Sequence, residues 1–320
     1  ELAKRCDVVV ENFDPGLADR LGIGSEVVLR INPRVVYCSI SALDSEGPEK
    51  DVPGTELTLQ GRGGVMRTSD PDGNPAIRFG EDALSSVTGN YATQAIVAAL
   101  FHRSRGGQGQ HVQVSMLRSS MHLQSSTFTF DCSPDGGLDD PRRRFTEGAG
   151  GPTPGYRTKD LPIGFAFPFM LAGYPADERW KEFCHRVGLS QITEDPRFAD
   201  RFGRETNEPE LRPYYEEAFK DKGSAELLGI LEELGALCSP YNDFPSLFSH
   251  PQVLENDMVL EFEHPTAGRL KTVGFPSVLS ESPKEIRLAP PLLGQHTQEV
   301  LADLGHSASE IQALVRQRVV

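Results

Sequence analysis

The sequence predicts an α/β protein: a Rossmann-like large domain built on a parallel sheet, plus a smaller α+β domain. Three observations predict it. Residues 1–130 alternate between short β-branched runs and helical stretches, the pattern of a parallel sheet with covering helices. Residues 131–158 are dense in glycine, proline and charge, which marks a long crossing linker. From residue 159 the texture changes to helices and one hairpin.

The elements follow in order. Val8, Val9 and Val10 in "DVVVENF" form an apolar, β-branched run, as in a buried parallel strand. In "DPGLADRLGIG", Pro15 and Gly16 mark a turn, a short helix follows, and Gly22 and Gly24 mark its exit. "RVVYCSIS" (34–41) is the second strand, and 42–56 is a loop rich in glycine, proline and acids. Residues 56–66 read as a helix interrupted by glycines, and 67–81 as a turn cluster. Residues 88–104 read as an amphipathic helix, with Tyr91, Ala95, Val97, Ala98, Leu100 and Phe101 among its apolar positions. "RGGQGQ" is a tight turn into a strand at 110–116, which feeds a helix start. Beyond the linker, "LPIGFAFPFMLAG" supplies a strand, and 177–187, 208–219 and 224–234 read as helices. "MVLEFEHPTAGRLKTVGFP" is a hairpin turning at "HPTAG". The tail carries two helices, with Gly305 ending one and Ser307 or Ser309 capping the next. The expected layout is a large domain at 1–130, a linker at 131–158, a small domain at 159–285, and C-terminal helices at 286–320 returning to the large domain.

The chain has 320 residues and a net charge of −14. That balance argues against a nucleic-acid partner, which would need a basic face. It leaves room for an anionic ligand held by local basic groups and backbone N–H groups. No apolar run approaches the ~20 residues of a membrane helix, and no signal-peptide pattern opens the chain. Five scattered cysteines without a CxxC read as reduced thiols of a cytoplasmic protein. No Cys/His spacing fits zinc, so no metal is expected. The chain begins without Met, and its first strand lacks the βα units that would cover it. The expectation is a natural product that extends upstream.

Five motifs, in order, carry a resemblance. They are "CDVVVENFDPGLADRLGIG", "NPRVVYCSISALDSEGP", "AALFHRSRGGQGQHVQVSM", "DPRFADRFGRETN" and "APPLLGQHTQEVLADLG". Together they resemble the family III CoA-transferases of the CaiB/BaiF type, the group of formyl-CoA transferase, carnitine CoA-transferase and α-methylacyl-CoA racemase. The resemblance covers nearly the whole chain. It implies an interlaced dimer, each chain with a Rossmann-like large domain and a small domain joined by long linkers. It also implies that coenzyme A, as an acyl-CoA thioester, is the substrate, with a carboxylate as acceptor and no metal.

The resemblance implies covalent chemistry at the strand-to-helix turn. There an aspartate just after "VSM" attacks the thioester, a mixed anhydride forms, and the freed thiolate gives an aspartyl-CoA thioester. In this sequence the position is Arg118. A guanidinium is charged at any relevant pH and cannot attack. Asp131 lies about three helical turns further on, so no carboxylate slides into register. The family's second acidic position, after the "GP" loop, falls on Glu56 and is kept. Its neighbour Thr55 replaces an aromatic or imidazole residue, which disfavours two-base racemisation as well.

CoA recognition is better preserved. Asn12 and Phe13 match the family's Asn-Phe pair, with Phe13 packing on adenine and Asn12 hydrogen bonding. Arg20 matches a basic residue near the phosphates. Read by themselves, Phe13 also suits a core-edge aromatic and Arg20 a solvated helix residue. Asp82 reads as a helix cap or hinge rather than a catalyst. His122, one turn past Arg118, is a base or a packing residue, and His102 and His111 flank the glycine turn as exposed groups. "RRR" at 142–144 reads as a solvated run or a contact for phosphates or a partner chain. "GAGG" at 148–151 reads as a flexible linker or an echo of the glycine loop of some relatives. "GQGQ" and "GIGS" are not a GxGxxG, which weakens any dinucleotide-oxidoreductase reading.

The functional expectation is a CoA-transferase that moves CoA between carboxylic acids, working as a homodimer or with a family paralogue. Two alternatives stay open: a non-catalytic or supporting subunit of a heteromeric CoA-transferase whose partner supplies the aspartate, and an acyl-CoA isomerase or lyase using Glu56 without a covalent aspartate.

Overall fold

A computed structural model describes residues 1–66, 78–80, 82–125, 155–168, 171–282 and 285–320. The chain divides into two compact units, Glu1–Pro152 and Thr153–Val320. Most of the expected linker, including 142–144 and 148–151, lies outside the described residues.

The first unit holds α1 (Leu2–Arg5), β1 (Val8–Glu11), α2 (Leu17–Arg20), α3 (Ser25–Ile31), β2 (Val36–Ser41), α4 (Glu56–Arg62), α5 (Ala83–Ser104), β3 (Gln110–Ser115) and α6 (Met116–Leu123). The strands form one parallel sheet in the order β1-β2-β3. Val8 pairs with Val36, and Val36 with Gln110, so all three carboxyl ends finish along one edge. The central strand is the most buried: Val36, Tyr37 and Cys38 are almost fully enclosed, as expected of a strand covered on both faces.

The outer strand β1 differs from the expected buried strand. Its register is parallel, but Val10 is 53% exposed, because among the described residues β1 pairs on one side only and Val10 faces an open cleft. The long helix α5 starts five residues before the expected 88. Its contact face is made of Leu84, Thr88, Ala92 and Ala99, while Val97 and Phe101 are exposed. The turn back into β3 needs Gly109: a Cβ there would stand 2.2 Å from the Val35 carbonyl oxygen. Arg103 ties the end of α5 to the strand starts, donating to the Arg34 carbonyl and the Asp7 carboxylate, both at 2.7 Å.

The second unit holds β4 (Ile163–Ala166), α7 (Ala176–Val187), α8 (Arg201–Thr206), α9 (Glu208–Phe219), α10 (Ser224–Glu233), β5 (Leu237–Pro240), α11 (Phe244–Phe248), α12 (Pro251–Glu255), β6 (Val259–His264), β7 (Gly268–Val273), α13 (Thr297–Asp303) and α14 (Ala308–Arg316). Strands β4 and β5 pair antiparallel, and β6 and β7 form the expected hairpin. The core gathers Trp180, Phe183, Leu211, Tyr215, Phe219, Leu227 and Leu231. Tyr215 stacks on Phe219 with centroids 5.5 Å apart, and the buried Trp180 indole N–H donates to the Tyr215 hydroxyl at 2.6 Å. Tyr156, from the end of the expected linker, already belongs to this core and bridges to Ile163. Of the two candidate caps in the tail, Ser307 caps α14, and Glu310 completes a capping box. The four described cysteines are free thiols, and burial pushes Cys184 up to about 12. No helix among the described residues is long and apolar enough to cross a membrane.

Candidate active site

Strands in parallel register finish together, and ligands of such sheets bind in the crevice outside the carboxyl ends. The first unit has a cleft of about 720 Å³ there. Its wall runs from Val10 to Gly16 past β1, along Tyr37, Ser39 and Ser41 of β2, to His111 and Gln113 of β3. Ser85, Thr88 and Gly89 of α5 and the loop residues Asp44, Ser45, Lys50 and Asp51 complete it. Tyr37, Ser39, His111 and Gln113 share one face because alternate side chains of a strand point the same way.

Asn12 and Phe13 sit at the end of β1, on the cleft wall. The Glu11 carboxylate accepts the Phe13 N–H at 2.9 Å, which shapes the turn. Phe13 is 43% exposed and lines the cleft. Arg20, at the end of α2, is exposed, with its guanidinium beside Gly16 at the rim. Among the lining residues Glu11, Asp14, Asp19, Asp44 and Asp51 are acidic, and Lys50 is the basic one. Positive charge at this cleft therefore sits at Lys50 and, through Arg20, at the rim.

His111 is exposed, as expected of a residue flanking the glycine turn. It lies in the cleft, 2.9 Å from the Ser39 hydroxyl and edge-on to Tyr37. Desolvation holds its pKa below the usual imidazole value, against the pull of Glu11 and Asp19. Its placement was readable from the period-2 pattern of "QHVQVS", which puts His111 and Gln113 on one side. His122 instead packs edge-on against Tyr91 at 5.1 Å.

Glu56 starts α4 and stands behind Ser85. Its two oxygens accept four hydrogen bonds: from Gln60 Nε2 at 2.7 Å, Leu84 N at 2.9 Å, Ser85 N at 2.7 Å and Ser85 Oγ at 2.5 Å. Desolvation pushes this carboxyl up. The hydrogen bonds from Ser85, Gln60 and the backbone outweigh that and hold it below the usual carboxylate range. Glu56 thus caps the N-terminus of α5, the role expected of Asp82. Asp82 occupies the cap position at φ +50° but makes no cap bond, and pairs with Arg78 instead. Thr55 caps α4 in a capping box with Thr58, so its hydroxyl is engaged.

Arg118 lies in the first turn of α6, where its N–H donates to the Ser115 hydroxyl at 3.2 Å. Its Nε donates to Oδ2 of Asp44, from the loop after β2. The Arg118 side chain is 73% exposed and the Asp44 side chain 19%. Asp44 was passed over in the sequence as one acid of a polar loop.

The model of one family, CoA-transferase family III, matches residues 1–297. The chain belongs to CoA-transferase family III. This family III chain is 31% identical to the formyl-CoA:oxalate CoA-transferase of Streptomyces avermitilis, over all of its own length and 80% of that protein. It is 28% identical to human succinyl-CoA:glutarate CoA-transferase, over 95% of its length and 67% of that protein. Its fold matches a CaiB/BaiF family protein from Brucella suis with a TM-score of 0.74 and 23% identity, over 95% of this chain and 76% of that one. As a family III CoA-transferase it acts on acyl-CoA. The geometry brings Asn12 and Phe13 into one cleft, with Arg20 at its rim and Arg118 against the lining residue Asp44, and leaves Glu56 saturated behind Ser85.

Proposed function

We propose that this family III chain moves CoA from an acyl-CoA donor to a free carboxylate acceptor. The observation that carries the reading is the cleft at the carboxyl edge of the sheet, walled by Asn12 and Phe13. In this reading Phe13 packs on the adenine ring, Asn12 hydrogen bonds to the CoA moiety, and Arg20 and Lys50 meet the phosphates. Glu56, with four bonds already accepted, acts as a positioning residue that fixes α5 and Ser85 at the cleft wall. The interlaced dimer implied by the resemblance is part of the same proposal.

The test is CoA exchange by the purified protein. Formyl-CoA and succinyl-CoA serve as donors and oxalate and glutarate as acceptors, because the similar proteins carry those names. New thioesters are followed by mass spectrometry. Transfer is expected, and silence with every pair overturns the reading for the protein acting alone.

Arg118 favours one second reading. A guanidinium stands where the resemblance puts the nucleophilic aspartate, as it would in the supporting half of a heteromer. Exchange that appears only when a co-encoded family chain with an intact aspartate is added would establish that form.

A further inference from the structure

The geometry points to Asp44 as the catalytic carboxylate of this site, the group that takes the acyl chain from the CoA thioester, with Arg118 as the residue that positions it. The inference rests on the CoA-transfer reading above and supplies the nucleophile that position 118 lacks.

Four observations carry it. Asp44 follows the carboxyl end of β2 and lines the cleft. Its carboxylate is held from the neighbouring strand-to-helix turn by Arg118 Nε, so a carboxylate does stand at the β3–α6 turn, delivered by an adjacent loop. Its oxygens are not used up: Oδ1 accepts the Ser45 N–H at 3.0 Å and Oδ2 accepts Arg118, whereas an ionised carboxylate has about four acceptor sites. Glu56, by contrast, is fully engaged. Finally, Asp44 is held at φ +99°, a backbone that L-residues rarely adopt. Such strain persists where the surroundings over-determine it, and functional sites are where it clusters.

The chemistry balances without a proton or an oxidant. A carboxylate oxygen of Asp44 attacks the thioester carbonyl carbon, the C–S bond breaks, and CoA leaves as thiolate from a mixed anhydride. The thiolate attacks the Asp44 carbonyl carbon and expels the donor acid as carboxylate, leaving an Asp44–CoA thioester. The acceptor carboxylate attacks that thioester, forming a second anhydride and freeing the thiolate again. The thiolate then attacks the acceptor carbonyl, giving the new acyl-CoA and regenerating Asp44. Arg118 donates through Nε to Asp44 while its side chain as a whole stays largely exposed, so its guanidinium is placed to meet oxygens that gain charge in these steps.

The test is a trapping experiment with succinyl-CoA in the presence of hydroxylamine, which converts an activated aspartyl group into a hydroxamate that peptide mass mapping locates. The expected result is a CoA-dependent hydroxamate at Asp44. Asp44→Asn is expected to lose the label and to lose CoA exchange by at least about 1,000-fold, with an unchanged circular dichroism spectrum and melting profile showing that it folds. Exchange by the parent with the label on another carboxylate, or exchange by Asp44→Asn within about tenfold of the parent, overturns the inference and leaves the CoA-transfer reading standing. Absence of exchange by the parent with every donor overturns both.

Discussion

Asp44 and Arg118 form an ion pair whose two halves do different work. The Arg118 side chain is largely in solvent, so the pair adds only about 0–1 kcal/mol to stability. The Asp44 backbone at φ +99° costs about 1–3 kcal/mol. Asp44→Gly removes the strain and adds back some unfolded-state entropy, about 0.5–1 kcal/mol. The variant is therefore expected to be about 1 kcal/mol more stable in urea denaturation while losing CoA exchange. On the proposed packing of Phe13 against adenine, Phe13→Ala removes a stacking surface of about 1–3 kcal/mol. The expected outcome in steady-state kinetics is a KM for acyl-CoA raised about tenfold or more, with the KM for the carboxylate acceptor unchanged.

The elements around the cleft are held by a few long-range contacts. Helix α5 presents its N-terminal N–H groups at Leu84 and Ser85 to Glu56, which answers the unpaired donors of a helix start. Glu56→Ala leaves those donors without their carboxylate and is expected to cost about 1–3 kcal/mol in chemical denaturation. Glu56 has a folded pKa below its ordinary 4.5. Its contribution is therefore present above about 4.5 and lost as pH falls through the lower folded value. A stability profile of the parent below pH 4.5 should fall more steeply than that of Glu56→Gln. The turn into β3 depends on Gly109, where a Cβ would meet the Val35 carbonyl at 2.2 Å. Gly109→Ala is expected to destabilise by about 1–3 kcal/mol, read from the urea midpoint.

At the scale of the molecule, a net charge of −14 is concentrated unfavourably for a polyanionic substrate, since the lining residues are mostly acidic. In the proposed reading Arg20 and Lys50 carry much of the attraction for phosphates, and screening by salt weakens it. Arg20→Ala is expected to raise the KM for acyl-CoA several-fold at low ionic strength and to lessen its dependence on salt. For the proposed interlaced dimer, sedimentation of the protein is expected to give twice the mass of one chain, independent of dilution across the micromolar range.

Much of this protein was determined by its sequence. Period-2 and period-3.6 patterns located the helices at 208–219 and 224–234 and the hairpin almost to the residue, because local periodicity records which face of an element is buried. Five ordered motifs were enough for the family, and "VSMLR" showed a guanidinium where relatives are expected to carry a nucleophile. Other features were decided only by tertiary structure. Val10 and Phe101 are apolar by identity but exposed by position, since burial of an apolar side chain depends on what packs across from it. Glu56 caps a helix that begins 27 residues later, and Asp44 meets Arg118 across 74 residues. The first contact folds the β2–β3 crossover back on itself; the second exists because that crossover returns β3 beside β2, which brings carboxyl ends together in space while keeping them far apart in the chain. No local pattern encodes such a meeting, so the carboxylate that the sequence lacked at position 118 became visible only once β2 and β3 lay side by side.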